Sequence, residues 1–315
     1  MNDGSVLIGT VLRQEKNTLK FKTTYAGTLD IKWDQVKNIQ TDKVTTIMLV
    51  TDELIETRFV SNNDDGVTQI KKEGEEWRTA FKSKNVAFIN PDSWRLGQGY
   101  KITGMANLSI KSQKGNTVKD ELEMDGRIQF RSLKDRYTFT GTLENDNAQG
   151  TTTADNWLVN GKYDHFIDKR RYLGVVLSFE RDVFTDLQLR TTIGPHIGHQ
   201  FFETKALNLR TESGLVQVTE DRNDADDQDY LAINWYINYD QFFFKDLTQF
   251  YHEQRGLWDA EKTGKVTFNS WTGFRFPLKS GVVASAEVEL EYDSKPNDQV
   301  DKTDATYRVK IGYQW

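Results

Sequence analysis

Four histidines, a run of alternating carboxylates and one serine are the residues of this chain whose types could support chemistry. His196 and His199 are three apart, so in a strand they point to opposite sides and cannot share a metal ion. His252 falls one strand away from Ser270, a pairing suited to nucleophilic catalysis, yet no acid or amide partner can be placed with the two. His165 stands alone. With no cysteine in the chain, thiolate chemistry and disulfides are excluded. The acidic run EDRNDADDQD lacks the glycine and the closing glutamate of a calcium loop. The expectation is a protein without catalytic residues, metal or cofactor.

The more telling chemistry is a pattern of charge. Glu287, Glu289, Glu291 and Asp293 alternate along one segment, and the neighbouring segments carry Lys265, Arg275, Arg308 and Lys310 on the matching face. Upstream, Glu121, Glu123 and Arg127 alternate in the same way. Opposite charges facing each other on adjacent strands contribute up to about 1 kcal/mol per pair. Glu121, Glu123, Arg127, Arg275, Glu287, Glu289, Glu291, Arg308 and Lys310 are therefore the candidate lining of a polar interior, either filled by its own side chains or lining a narrow passage.

The elements that must hold such an interior are strands. The chain has 315 residues, a net charge of -6, 12% aromatic residues and only four prolines. That acidity offers no basic stripe for nucleic acid. Mean hydropathy is -0.67, and no run approaches the roughly 20 apolar residues of a membrane helix. Averaging misses strands that alternate apolar and polar residues, however, because the average cancels. From Gly99 onward such segments recur about twelve times. Tight separators (RSLKDR, IDKRR, ETKA, FKDL, PLKSG) alternate with longer polar ones (SQKGNT, NDNAQGTTT, DVFTD, TEDRNDADDQD, DAEKTG, DSKPNDQVDKT). Short turns at one rim and long loops at the other describe a transmembrane β-barrel.

The last three strands test this. One face carries Val266, Phe268, Ser270, Thr272, Phe274, Phe276, Val282, Ala284, Ala286, Val288, Leu290, Tyr292 and then Tyr307, Val309, Ile311, Tyr313 and Trp315. None of these 17 positions is charged, although the 28% charged residues of the whole chain would place about five there. A lipid-facing Arg or Lys at the bilayer midplane costs roughly 2–4 kcal/mol, which is the selection that empties such a face. QFYHEQRGLW alternates least clearly. The closing run YRVKIGYQW, with Tyr307, Val309, Ile311, Tyr313 and a terminal Trp315, has the form of an insertion signal read by barrel-assembly machinery.

Ahead of the barrel, residues 1–60 read as a small unit of five short strands of SH3-like or Sm-like type, with a helical turn at Trp33 capped by Asp34. Tyr25 and Trp33 are its candidate partner-binding residues. Residues 61–97 read as a hydrophilic linker with partial structure around Trp77, and 98–315 as the barrel. An even strand count returns both barrel ends to the short-turn side, which puts the amino-terminal unit in the periplasm. MNDGSVLIG has neither the charged start nor the apolar run of an export leader, so the sequence reads as a mature form.

Several stretches resemble the salt-induced outer-membrane proteins, the YdiY-like family of domain of unknown function 481. They are DGSVLIGTV (Asp3–Val11), TTYAGTLDIKWDQVKNIQTD (Thr23–Asp42), TTADNWLVNGKYDHFIDKRRYL (Thr152–Leu173), SFERDVFTDLQLRTTIGPHIGHQFF (Ser178–Phe202) and the YRVKIGYQW ending. The resemblance implies an outer-membrane barrel with a periplasmic amino-terminal module, in contact with lipid and lipopolysaccharide. It names no activity. The expected roles are a structural or docking barrel with a periplasmic protein partner or, alternatively, a narrow channel for small polar solutes or ions. A lipid hydrolase is the remote third reading, admitted by analogy with other twelve-stranded barrels. Weak Mg²⁺ or Ca²⁺ bridging between the acidic loop and lipopolysaccharide phosphates is a secondary expectation.

Overall fold

The computed structural model describes all residues except 16, 52, 63–65, 72–75, 77, 114–118, 149, 184, 185, 205, 245, 246 and 297–300. The chain divides into two compact units, Met1–Gln98 and Gly99–Trp315.

The first unit is one eight-stranded antiparallel sheet. Its strands are β1 (Thr10–Glu15), β2 (Thr18–Thr23), β3 (Gly27–Lys32), β4 (Asn38–Leu49), β5 (Leu54–Asn62), β6 (Val67–Lys71), β7 (Arg78–Lys82) and β8 (Val86–Ile89). Their order in the sheet is β3-β2-β1-β8-β4-β5-β6-β7. The linker expected over 61–97 is thus corrected: three of the strands lie in it, and the five-strand unit grows to eight. In β6 and β7 isolated apolar residues between polar ones hid them, because short strands with one wetted face show little hydrophobic excess, and β8 is an apolar run of only four residues. Trp77 lies outside the described residues. β8 is inserted between β1 and β4, with Ile89 opposite both Gln14 and Ile47. Leu19, Trp33, Val36, Ile39, Ile47, Leu49, Val60, Val86 and Ile89 form the core. The helical turn Trp33–Gln35 follows Lys32 and has no side-chain cap, so Asp34 does not cap it; burial of the Trp33 ring is what fixes the turn.

The second unit is a closed barrel of twelve strands. They are β9 (Lys101–Gln113), β10 (Lys119–Arg131), β11 (Asp135–Ala148), β12 (Thr151–Phe166), β13 (Arg171–Asp182), β14 (Leu187–Glu203), β15 (Leu207–Arg222), β16 (Gln228–Phe243), β17 (Thr248–Asp259), β18 (Val266–Pro277), β19 (Val282–Asp293) and β20 (Thr303–Gln314). Every neighbouring pair is antiparallel, and β20 closes the wall on β9. The polar stretch NDNAQGTTT is mostly strand, since β11 runs to Ala148 and β12 begins at Thr151. Its polar residues do not bar strand formation, because Asn145 and Asn147 sit near the rim where water is available.

Period-2 alternation sorts the side chains. Phe139, Val159, Leu173, Ile197, Leu215, Leu231, Phe274 and Val309 are exposed on the outer face. Among the described outward-facing strand residues, charges occur only near strand ends, as in Asp155–Arg181 at 3.8 Å and Arg171, which pairs with turn residue Asp168 at 2.6 Å. An apolar band between charged rims is what a bilayer requires of a barrel. Around the short-turn rim the outward aromatics touch in series: Tyr100 with Tyr137, Tyr137 with Tyr163, Tyr239 with Phe250, and Phe250 with Phe274, at centroid separations of 5.0–6.1 Å. Such a girdle marks the membrane–water boundary.

Two details fix the wall. Trp315 exchanges both backbone hydrogen bonds with Gly104 at 3.0 Å, and a Cβ on Gly104 would lie 2.2 Å from the Trp315 ring. Absence of a side chain at 104 is therefore what seats the closing tryptophan. At the opposite rim, the carboxylate of Asp186 accepts the backbone N–H groups of Asn223, Asp224 and Ala225 at 2.8–3.1 Å. Those bonds hold its carboxyl below the ordinary carboxylate range and tie the β13–β14 connection to the acidic loop.

Candidate functional site in the barrel interior

Inward positions carry the charges, and the structure arranges them in levels. Nearest the short-turn rim lies a dry cluster. Arg136, 1% exposed, donates to Asp164 at 2.7 Å and to Gln200 at 2.8 Å. His196 Nε2 lies 2.7 Å from the other Asp164 oxygen. Lys162 pairs with Glu212, which also accepts from Tyr172 Oη at 3.0 Å. Two glycines make room for the rings: a Cβ on Gly198 would lie 2.2 Å from Tyr172, and one on Gly174 2.4 Å from His196. Arg131 donates to Glu203 at 3.0 Å and stacks over Phe166 at 3.7 Å.

Asp164, His196 and Glu212 bring ligand atoms within 4.8 Å of one another. A metal ion does not fit there, because Arg136 and Lys162 already supply the positive charge those carboxylates need, and a further cation would face both at contact distance.

The middle level crosses the lumen. β10 and β16 are six places apart in a ring of twelve, hence on opposite walls. Arg127 on β10 donates to Tyr236 Oη on β16 at 3.3 Å and pairs with Glu253 on β17. From the other side Arg210 on β15 donates to the same Tyr236 Oη at 3.3 Å and to Gln129 on β10 at 3.3 Å. The result is a bar of side chains spanning the barrel. Charge-assisted bonds of this kind are strong in a water-poor interior.

Beside the seam, Lys310 gathers Glu123 at 2.7 Å, Asp125 at 2.9 Å and Glu287 at 2.8 Å. Arg308 pairs with Glu123 and Glu289, and with Glu144 at 2.9 Å. Tyr251 donates to Glu287 at 2.8 Å. On the long-loop side of the bar lies a chamber of about 230 Å³, lined among others by Asn160, Thr192, Tyr236, Trp271, Glu291 and Arg308. Arg190 stands beside it, donating to Glu180 at 2.9 Å and to Glu220 at 2.8 Å.

Of the interior residues named from the sequence, Glu123, Arg127, Glu287, Glu289, Arg308 and Lys310 join these networks. Glu121 takes the same inward register on β10. Arg275 does not reach the β19 carboxylates; it donates to Asp240 at 2.9 Å and lies over the Tyr251 ring at 3.7 Å. Glu291 accepts from Asn269 at 3.0 Å and makes no ion pair among the described residues. Tyr307, Val309, Ile311, Tyr313 and Trp315 stand on the outer face, all at least 49% exposed. In the amino-terminal unit Tyr25 is exposed, whereas Trp33 is 5% exposed. Trp33 is a core residue rather than a contact for partners, a correction explained by its packing in the cluster with Leu19, Ile47 and Ile89. His252 bonds Thr272 at 2.8 Å on the outer face, while Ser270 is opposite Gln254.

The Arg136–Asp164–His196 cluster and the Arg127–Tyr236–Arg210 bar escaped sequence reasoning. Adjacent-strand pairs follow from register, but contacts across the lumen depend on strand tilt and stagger, which no local pattern encodes. The one available signal was the pair of small residues, Gly174 and Gly198, standing at inward positions among bulky neighbours.

No curated protein matches the chain. Among solved structures, it is similar to the NanC porin at 9% identity, with 68% of this chain and 100% of that chain covered and a TM-score of 0.42. It is also similar to a bacterial polysaccharide outer membrane secretin, at 10% identity, 70% and 98% coverage and a TM-score of 0.36. The translocator domain of the autotransporter NalP from Neisseria meningitidis gives 12% identity, 70% and 89% coverage and a TM-score of 0.35. The profile of the family described as "Protein of unknown function, DUF481" matches residues 106–315. With two-thirds of its length so matched, over the closed barrel with the charged interior, the chain belongs to that family.

Proposed function

We propose that the barrel is a non-conducting outer-membrane anchor that holds the amino-terminal sheet unit in the periplasm as a docking module. The observation that carries this reading is the bar formed by Arg127, Tyr236 and Arg210 across the lumen. Each of its ends is fixed by a second bond, to Glu253 and to Gln129, so solute flow would require breaking several charge-assisted contacts at once. The periplasmic assignment is supported by the β9 start and the β20 end, both at the short-turn rim. A non-enzymatic role is supported by His252, which faces the outer side and bonds Thr272. The surrounding partners on this reading are lipid and lipopolysaccharide, and the barrel-assembly machinery reading Tyr307–Trp315 during insertion.

Planar-bilayer recordings test it. The full chain gives no discrete conductance steps, whereas Arg127→Ser combined with Arg210→Ser opens measurable steps. Steps from the unaltered chain would overturn the closed reading in favour of a narrow channel for small polar solutes, for which the chamber supplies the vestibule.

A further inference from the structure

The wall is not zipped evenly. β10 pairs with β9 over all thirteen residues from Lys101 to Gln113, and β19 pairs with β20 from Tyr292↔Thr303 to Val282↔Tyr313. Across the seam the ladder joins only Ile311–Gln314 to Leu108–Met105, with Trp315 and Gly104 below. Continued in register, it would set Val309 opposite Ile110, yet no ladder pair forms there. One side-chain bond replaces it, from Ser109 Oγ to the Val309 carbonyl at 3.2 Å.

Exposure reports the same opening. Val309 is 77% exposed and Tyr307 79%, above Ile197 at 64%, which is paired on both sides. From Trp315 to Tyr307 a tilted strand climbs about 20 Å, so the unzipped stretch falls inside the roughly 25 Å apolar band. Backbone groups left unpaired at that depth are costly unless something polar meets them.

Arg308, between Tyr307 and Val309 on β20, reaches from the opening into the chamber lining, where carboxylates outnumber cations. Arg308 is shared among Glu123, Glu144 and Glu289, and Glu291, two residues beyond Glu289 along β19, has no ion pair among the described residues. From this we infer that the upper seam between β9 and β20 is a lateral doorway, through which the ammonium-bearing head of a bilayer amphiphile reaches the chamber while its chains stay in lipid. The carboxylates select a cationic head, the apolar rim of Ile110, Tyr307 and Val309 receives the chains, and the bar below stops the head from passing through. The inference does not rest on the anchor role; a conducting barrel could own the same doorway.

The test uses the full chain in lipid nanodiscs and a spin-labelled alkylammonium probe, with a spin-labelled fatty acid of equal length as control. The expected spectrum shows a saturable immobilised component for the ammonium probe and none for the acid. Because the chain has no cysteine, Ile110→Cys with Val309→Cys gives a single closable pair, locked directly or by a short bis-methanethiosulfonate linker. Locking lowers the immobilised fraction at least fivefold, and reduction restores it, which serves as the folding control. Glu144→Gln with Glu291→Gln raises the half-saturating probe concentration at least fivefold without locking. An equal signal from the fatty acid, no immobilised ammonium probe, or binding indifferent to the lock would each overturn the inference.

Discussion

Removing the guanidinium of Arg136 is the sharpest probe of the dry cluster. Its side chain is 1% exposed and that of its partner Asp164 is 0% exposed, so Arg136→Met leaves a carboxylate that no water can reach, deprived of its ion pair and held by the His196 bond. Breaking a buried pair by deleting one partner costs about 3–5 kcal/mol, because the other charge stays desolvated. Arg136 also lies over the rings of Tyr172 at 4.5 Å and Phe166 at 5.1 Å, and losing those contacts accounts for a further roughly 0.5–2 kcal/mol. The double variant Arg136→Met with Asp164→Asn removes the stranded charge and should recover most of the loss, leaving a deficit of about 1–2 kcal/mol from stacking and the Gln200 bond. The assay is reversible urea unfolding in lipid vesicles, read by tryptophan fluorescence and by the heat-dependent mobility shift of folded barrels. A single variant within about 1 kcal/mol of the parent, or a double variant less stable than the single, would refute the view that burial makes this pair interdependent.

Three further outcomes follow from geometry. Gly104→Val forces the Trp315 ring away from a site where a Cβ would lie 2.2 Å from it, so folding into vesicles slows several-fold and the folded fraction drops, as mobility-shift time courses would record. The clasp made by Asp186 is present at and above ordinary carboxylate pH, because its pKa is lowered by the N–H groups of residues 223–225; it is lost as pH falls through that lowered value. The protection of the Asn223–Ala225 amides, taken relative to the intrinsic exchange rate at each pH, should fall in acid, and Asp186→Ala should show the same lost protection already at pH 7. Trp33→Ala empties a core position that is 5% exposed and costs about 3–5 kcal/mol, so hydrogen exchange should show β2, β4 and β8 losing protection together.

How much of this was written locally can be seen strand by strand. The outer face of β20 was legible because a period of two is the whole rule: Tyr307, Val309, Ile311 and Tyr313 alternate without a break. Once register is known, so are the neighbours Lys310 with Glu287 and Arg308 with Glu289. Arg275 shows where that reasoning ends, since its side chain is long enough to choose between two flanking strands and it takes Asp240 on the wall beyond β17. The bar through Tyr236 joins residues more than a hundred positions apart, and only the curvature of the closed sheet sets that distance. Strands β6, β7 and β8 were missed for a different reason: β6 and β7 are polar enough to pass for solvated chain, and β8, the apolar VAFI, is only four residues long and gains its place from pairing with β1 and β4.

The sheet order of the first unit, with β8 between β1 and β4, makes the latest-arriving strand a keystone. Two hairpin wings, residues 10–32 and 38–82, share no ladder pair among the described residues; Val86–Ile89 pairs with both, and Asn90 bonds Val11 in the first and Thr46 in the second. A fragment ending at residue 60 would therefore expose raw edges on both wings and aggregate rather than fold, while one extended to Gln98 carries the piece that locks them together. Any attempt to study this module apart from the membrane has to begin from that longer boundary.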